Sequence, residues 1–184
     1  FGRPPGSDMS NLLVQNIKHT NNTTAVNVAS DGRTTFTTQP LITTPIACHA
    51  AQENSSGGGV TGNINFSTVF VNLGSAFNGS NGRFTAPMAG TYHFHIYAFG
   101  CGNTGGASLG SGSTLAGKFQ KNGGDFTGMG KMYQYITDAT SYPNVSCSQI
   151  VTLAQNDYIT FNLTDSYFYV DTTPYPHFIG RLIG

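Results

Sequence analysis

Hydrophobic and polar residues alternate with a period of two through Thr91-Tyr92-His93-Phe94-His95-Ile96-Tyr97-Ala98-Phe99. Successive side chains of a strand point to opposite faces. Tyr92, Phe94, Ile96 and Ala98 therefore line one face, and Thr91, His93, His95, Tyr97 and Phe99 the other. The first face is apolar and suits a core. The second is aromatic and histidine-rich, which a face meant only for water does not require, so it points to assembly. Pro87 and Gly90 mark the turn that feeds this strand.

The pattern predicts further short strands from Thr44 onward. They are Thr44–Ala50, the Phe-rich stretch 65–77, Leu115–Lys121 running into an Asn122-Gly123 turn, Met129–Ile136, Ser146–Leu153, Asp157–Leu163 and Phe178–Ile183. The tight turn between two of them falls at Asn156-Asp157, where Asn tolerates left-handed backbone angles. Gln52–Gly62 and Leu109–Gly112 are Gly-rich and read as loops. Before Thr44 the chain changes character. Phe1–Ser7 is loop chemistry, Leu12-Leu13-Val14 with Ile17 suits one helical turn or a short strand, and Val26–Thr37 reads as a hairpin around Asp31-Gly32. There is no Gly-X-Y repeat, no sustained heptad and no amphipathic helix of useful length. The chain is thus expected to be all-β, a sandwich or jelly roll over residues 45–184, preceded by an extension of residues 1–44.

Composition narrows the function. Hydrophobic residues make up 38% of the chain, so it can bury a core, but charged residues make up only 9% and the formal net charge is zero. An average globular chain is about 25% charged. No basic or acidic balance points to nucleic acid or to a charged membrane. No apolar run reaches the roughly 18 residues of a membrane span, so no membrane insertion is expected. The start at Phe1 without a charged-then-apolar leader resembles a mature secreted chain. Asn-x-Ser/Thr sequons reinforce that expectation: those at Asn21, Asn22, Asn54, Asn78 and Asn144 lie in loop-like stretches open to glycosylation, and those at Asn65 and Asn162 lie in expected strands. Three cysteines are too few for a disulfide scaffold; one pair and one leftover is the simplest oxidised arrangement.

One spaced set of motifs is more specific than any of these. Phe66, Asn72 with Gly74, Gly82 with Phe84, and then Pro87, Gly90, Tyr92 and Phe94 fall in order within about thirty residues. Together with the Asn122-Gly123 turn and the closing Phe178-x-Gly180-x-Leu182, this set resembles the C1q globular domain of the C1q/TNF superfamily. The resemblance implies a ten-stranded jelly-roll sandwich that assembles as a tight homotrimer. It places the Tyr92–Phe99 strand, the Ile159–Leu163 strand and the first and last strands in the inner sheet, with His93, His95, Tyr97 and Phe99 meeting neighbouring subunits. It also suggests a Cys101–Cys147 disulfide, since the family's strands near these positions run antiparallel, and leaves Cys48 as a buried thiol or an intersubunit bridge. Family members that bind calcium make Asp125, Asp138, Asp157, Asp165 and Asp171 candidate oxygen donors, although the chain has no dense Asp-x-Asp cluster.

For chemistry, His93 and His95 have parallel side chains at i and i+2 and could hold a transition metal, with His49 and His177 as the only further histidines on adjacent strands; a plain subunit interface is the simpler reading. Ser108, Ser111 and Ser113 have no His or Asp tied to them by a motif, and neither Gly57–Gly59 nor Gly105-Gly106 is followed by a phosphate-loop Lys, so no enzyme is expected. Ligand recognition is. The segment with Asp165, Tyr167, Tyr169, Asp171 and Tyr175 combines aromatic faces with polar groups, the combination that holds sugars, and reads as a binding loop. The stretch from Met132 through Tyr135 to Tyr142 is a second candidate. The resulting expectation is a secreted homotrimer that recognises carbohydrate or microbial surface ligands in innate immunity. The alternative is a structural, storage or metal-carrying extracellular protein assembled from the same trimers.

Overall fold

The computed structural model describes residues 16–18, 24–36, 45–52, 58–137, 142–172 and 175–184. The chain divides into two compact units, Phe1–Thr43 and Thr44–Gly184. In the first, β1 (Asn16–Lys18), β2 (Thr24–Val28) and β3 (Thr34–Phe36) form an antiparallel meander in that order. The β2–β3 turn is the expected one. Gly32 takes a positive φ of 81°, and Arg33 is tied to the Asp31 carboxylate at 2.7 Å. Ile17 lies on a strand, not a helical turn; Leu12–Val14 fall outside the described residues.

The second unit contains β4 (Ala47–Ala51), β5 (Gly58–Asn63), β6 (Thr68–Leu73), β7 (Phe77–Asn78), β8 (Arg83–Thr85), β9 (Gly90–Cys101), β10 (Thr114–Lys121), β11 (Lys131–Tyr135), β12 (Asn144–Leu153), β13 (Tyr158–Val170) and β14 (His177–Leu182). Eleven strands are described where ten were expected; the two-residue β7 pairs with β8. One layer runs β12-β9-β14-β4-β6 and the other β11-β10-β13, with β8 and β5 along the opposite edge of β13. The two layers join where the end of β9 reaches β13, pairing Cys101 with Tyr167 and Gly100 with Phe168. This is the jelly roll the strand pattern implied, with two differences. Ile159–Leu163 pairs with β10 and so runs in the layer opposite β9. Gly58–Gly62 and residues 165–170, both read as loop, lie in strands β5 and β13, where Phe168, Tyr169 and Val170 pair with Val60, Gly59 and Gly58. Gly-rich composition hid the first, and the aromatic-rich polar run hid the second.

The core lies between the layers. Tyr92, Phe94, Ile96 and Ala98 all point into it, as their alternation required. Phe94 touches Phe84, Phe119 and Phe178, and Phe66 packs on Phe178 at 5.2 Å. Each fully buried ring contributes about 1.5–3 kcal/mol. Gly180 is required by this packing: a Cβ there would stand 2.8 Å from the Phe94 ring. The β10 turn also matches its sequence, with Asn122 and Gly123 both at positive φ (53° and 79°), and Asn156 takes φ 71°.

The expected Cys101–Cys147 disulfide is absent. Cys48, Cys101 and Cys147 are all free and buried. Cys147 pairs with Ile96, five residues along β9 from Cys101. At about 3.3 Å per residue that separates them by roughly 16 Å, far beyond the ~7 Å a disulfide spans. Burial pushes the Cys48 thiol up to about 12 and the Cys101 thiol to about 11, so both stay protonated and unreactive.

Candidate functional site: an aromatic cleft at one end of the sandwich

Three elements converge beside the join between the layers. The end of β9 presents Phe99, the end of β13 presents Tyr169 with Asp171 just beyond it, and the segment leading into β14 presents Tyr175. Tyr142, just before β12, joins them in a cleft of about 260 Å³ whose walls among the described residues are these five. Strand alternation explains the placement: Phe168 and Val170 are buried on one side of β13, which turns Tyr169 to the other.

The rings stand in two pairs. Tyr142 and Tyr169 lie 4.5 Å apart between centroids, and Phe99 and Tyr175 meet edge to face at 4.8 Å. The Tyr142 hydroxyl donates to the Gly106 carbonyl at 3.0 Å, which fixes that ring in place. Gly106 suits this spot because a Cβ would sit 3.0 Å from the Tyr169 ring. Burial and the neighbouring Asp171 carboxylate push the Tyr169 phenol up. Asp171 Oδ1 accepts from the Thr172 backbone amide at 2.6 Å and from its hydroxyl at 3.3 Å. The cleft therefore offers aromatic faces and one oriented carboxylate.

Of the residues singled out for ligand binding, Tyr169, Asp171 and Tyr175 share this cleft. Tyr167 lies two residues earlier on the same side of β13, opposite Cys101, and is not among the walls. The Asp165 side chain lies outside the described residues. Tyr142, the end of the second candidate stretch, joins the first set; Tyr133 and Tyr135 stand exposed on β11 instead. Phe99 was assigned only to an interface. Its nearness to Tyr175 depends on β9–β14 pairing, which joins residues as distant as Tyr92 and Leu182 and which no local pattern reveals.

The outer face of the β12-β9-β14-β4-β6 layer begins beside this cleft. Tyr175 contacts His177 at 5.6 Å, and His177 stacks on Tyr97 at 4.5 Å. His49 Nε2 and His177 Nδ1 lie 3.0 Å apart, and Phe70 covers His49 at 4.8 Å. His93 stands between Ile150 and Arg181, and His95 bonds Ser148 Oγ through Nδ1 at 2.7 Å. Burial, then the charge of His93, push the His95 imidazole down. His49 and His177 thus bond each other instead of completing a set with His93 and His95. Among the described residues no three His, Cys, Asp or Glu side chains gather at a metal-binding distance. Of the calcium candidates, Asp125 is held by Lys118 and Asp157 by Lys121, each at 2.7 Å, and Asp138 is outside the described residues. Apolar side chains are open across the same layer: Ile150 is 61% exposed, Phe70 48% and Leu73 45%.

Of the sequon asparagines, Asn78 and Asn144 are exposed but lie at the end of β7 and the start of β12 instead of in loops, and Asn21, Asn22 and Asn54 lie outside the described residues. Asn65 sits exposed between β5 and β6 and not in a strand. No helix among the described residues is long and apolar enough to cross a membrane.

A family model described as the C1q domain matches residues 48–183. Among solved structures, the globular domain of zebrafish complement 1qA is similar with a TM-score of 0.56 at 16% identity, covering 76% of this chain and 98% of that one. Eiger TNF from S. frugiperda aligns with a TM-score of 0.53 at 11% identity, covering 77% and 94%. Murine APRIL at pH 5.0 aligns with a TM-score of 0.54 at 10% identity, covering 76% and 99%. At these identities the likeness is one of fold. No curated protein sequence matches.

Proposed function

Because this chain belongs to the C1q domain family, we propose that it is a secreted, non-enzymatic recognition protein that works as a homotrimer and binds carbohydrate or other microbial surface ligands in innate immunity. The observation that carries the reading is the cleft of Phe99, Tyr142, Tyr169, Asp171 and Tyr175. Tyr supplies a flat apolar face and a hydroxyl with few rotatable bonds, so ordering it against a ligand costs little. The walls are held before any ligand arrives, by the two ring pairs and the Tyr142–Gly106 bond. Preorganisation of this kind raises affinity without added contact area.

Trimer formation is supported by the outer layer. Exposed Ile150, Phe70 and Leu73 flank a row of His and Tyr rings, and so large an apolar face on a chain with few charges suits a partner better than water. Glycan-array binding by the full chain, compared with Tyr169→Ala, tests the recognition reading. Binding to defined glycans that the variant loses supports it; no glycan binding, or binding untouched by the variant, overturns the cleft as the site.

A further inference from the structure

We propose that the aromatic cleft takes a quaternary ammonium group, of the trimethylammonium kind carried by choline. This rests on the reading of the cleft as the ligand site and names the chemistry it selects. Of its five walls among the described residues four are aromatic rings, and the fifth is a carboxylate. A ring face is electron-rich, so several faces around one carboxylate form a cage for a cation. Among the described residues no Lys or Arg lines the cleft to neutralise Asp171.

The hydrogen-bonding inventory separates this ligand from its competitors. The Tyr142 hydroxyl is spent on Gly106, and the Tyr169 hydroxyl faces Asp171. Two of the three phenol donors among the described walls are therefore engaged, which leaves Tyr175 to donate to the many hydroxyls of a neutral sugar. A primary ammonium brings three N–H donors that need three acceptors in fixed directions, and among the described residues the cleft offers one carboxylate, already accepting from Thr172. A calcium ion needs six or more oxygens, and among the described residues the cleft has one carboxylate. A methylated ammonium has no N–H to satisfy. It presents apolar methyl groups to the rings and a diffuse positive charge to Asp171. The sugar of a surface glycan then contributes contacts outside the cage.

The test is titration calorimetry of the full chain with choline chloride and with 3,3-dimethylbutan-1-ol, the uncharged isostere of choline. Choline should bind at least tenfold tighter than the isostere. Asp171→Asn should weaken choline about tenfold while leaving the isostere unchanged, and Tyr169→Leu, which keeps apolar bulk without a ring face, should weaken choline by a similar factor. Circular dichroism and elution volume check that both variants fold. Competition of bound choline by phosphatidylcholine vesicles marks a lipid headgroup as the source of the group; choline binding that the vesicles leave intact marks a soluble or glycan-borne source. Equal affinity for choline and the isostere overturns cation selection. Absence of choline binding alongside glycan binding that Tyr169→Ala abolishes overturns the ammonium proposal and leaves the recognition reading standing. Absence of both overturns the two together.

Discussion

Phe99 of β9 and Tyr175, ahead of β14, meet edge to face with ring centroids 4.8 Å apart. Tyr175 also touches His177, which stacks on Tyr97. One unbroken run of rings thus leads from the cleft onto the outer face of the sheet. The cleft lies at the rim of the surface proposed to join subunits, so the proposed ligand site and the proposed interface share this run of rings.

That sharing sets the outcome for Tyr175→Ala. The change removes one wall of the cleft and the partner of Phe99. Ligand affinity should fall at least tenfold, and the edge-to-face pair should cost about 1 kcal/mol of stability. Binding measured beside thermal unfolding checks both. Unchanged affinity would place the ligand elsewhere.

Assembly makes a separate demand on β12. Ile150 stands opposite His93, is 61% exposed and lies across the layer from the exposed Phe70 and Leu73 of β6. Burying an aspartate carboxylate there without a partner costs several kcal/mol, whereas on an isolated subunit it is solvated and harmless. Native mass spectrometry should find the parent chain at three times 19.5 kDa plus any glycan. Ile150→Asp should shift that to the single-chain mass with circular dichroism unchanged. A trimer that survives the substitution overturns this face as the interface.

The inward face of β9 and the turns at Asp31-Gly32, Asn122-Gly123 and Asn156-Asp157 were legible because each rests on local rules: side-chain alternation and positive-φ residues. The closing β14 was legible from its Phe178-x-Gly180 spacing, and the packing of Gly180 against Phe94 shows why that glycine is needed. What failed was non-local. Gly58–Asn63 becomes a strand only because β13 is there to pair with it. The Cys101–Cys147 pairing failed on register: Cys147 faces Ile96, a fact set by how β12 slides along β9. The cleft was half legible. Tyr169, Asp171 and Tyr175 are close in sequence, while Phe99 and Tyr142 arrive from elements that the topology, not the local pattern, brings to them.

The outer face should also make stability sensitive to acid. Burial, then the charge of His93, hold the His95 imidazole below its ordinary value. Below the usual imidazole range, near 6.5, the unfolded chain takes up this proton more readily than the folded one. Stability is therefore highest above that range and declines as pH falls through it. Arg181, opposite His93 on β14, adds positive charge to the same patch. The melting temperature should drop between pH 7.5 and pH 5, and His95→Gln should flatten the decline. An identical slope in the variant would show that His95 does not carry it.

Asp157 predicts an acid dependence of the same sign in a lower pH window. Its carboxylate accepts from Lys121 Nζ at 2.7 Å, Asn122 Nδ2 at 2.8 Å and the Ala154 amide at 2.8 Å. It thereby clamps the turn after β10 to the turn between β12 and β13. These bonds, Lys121 first, hold its pKa at about 2. A carboxylate with a lowered folded-state pKa stabilises the fold above its ordinary value near 3.9, and that contribution is lost as pH falls toward 2. Asp157→Ala removes the clamp. It should cost about 1–2 kcal/mol at neutral pH, the range for hydrogen bonds to a charged group that solvent still screens. It should also leave the variant's stability less steep than the parent's between pH 4 and pH 2. Denaturant unfolding at a series of pH values reads both effects. Parallel curves for the two proteins would mean that the two turns hold their positions without Asp157.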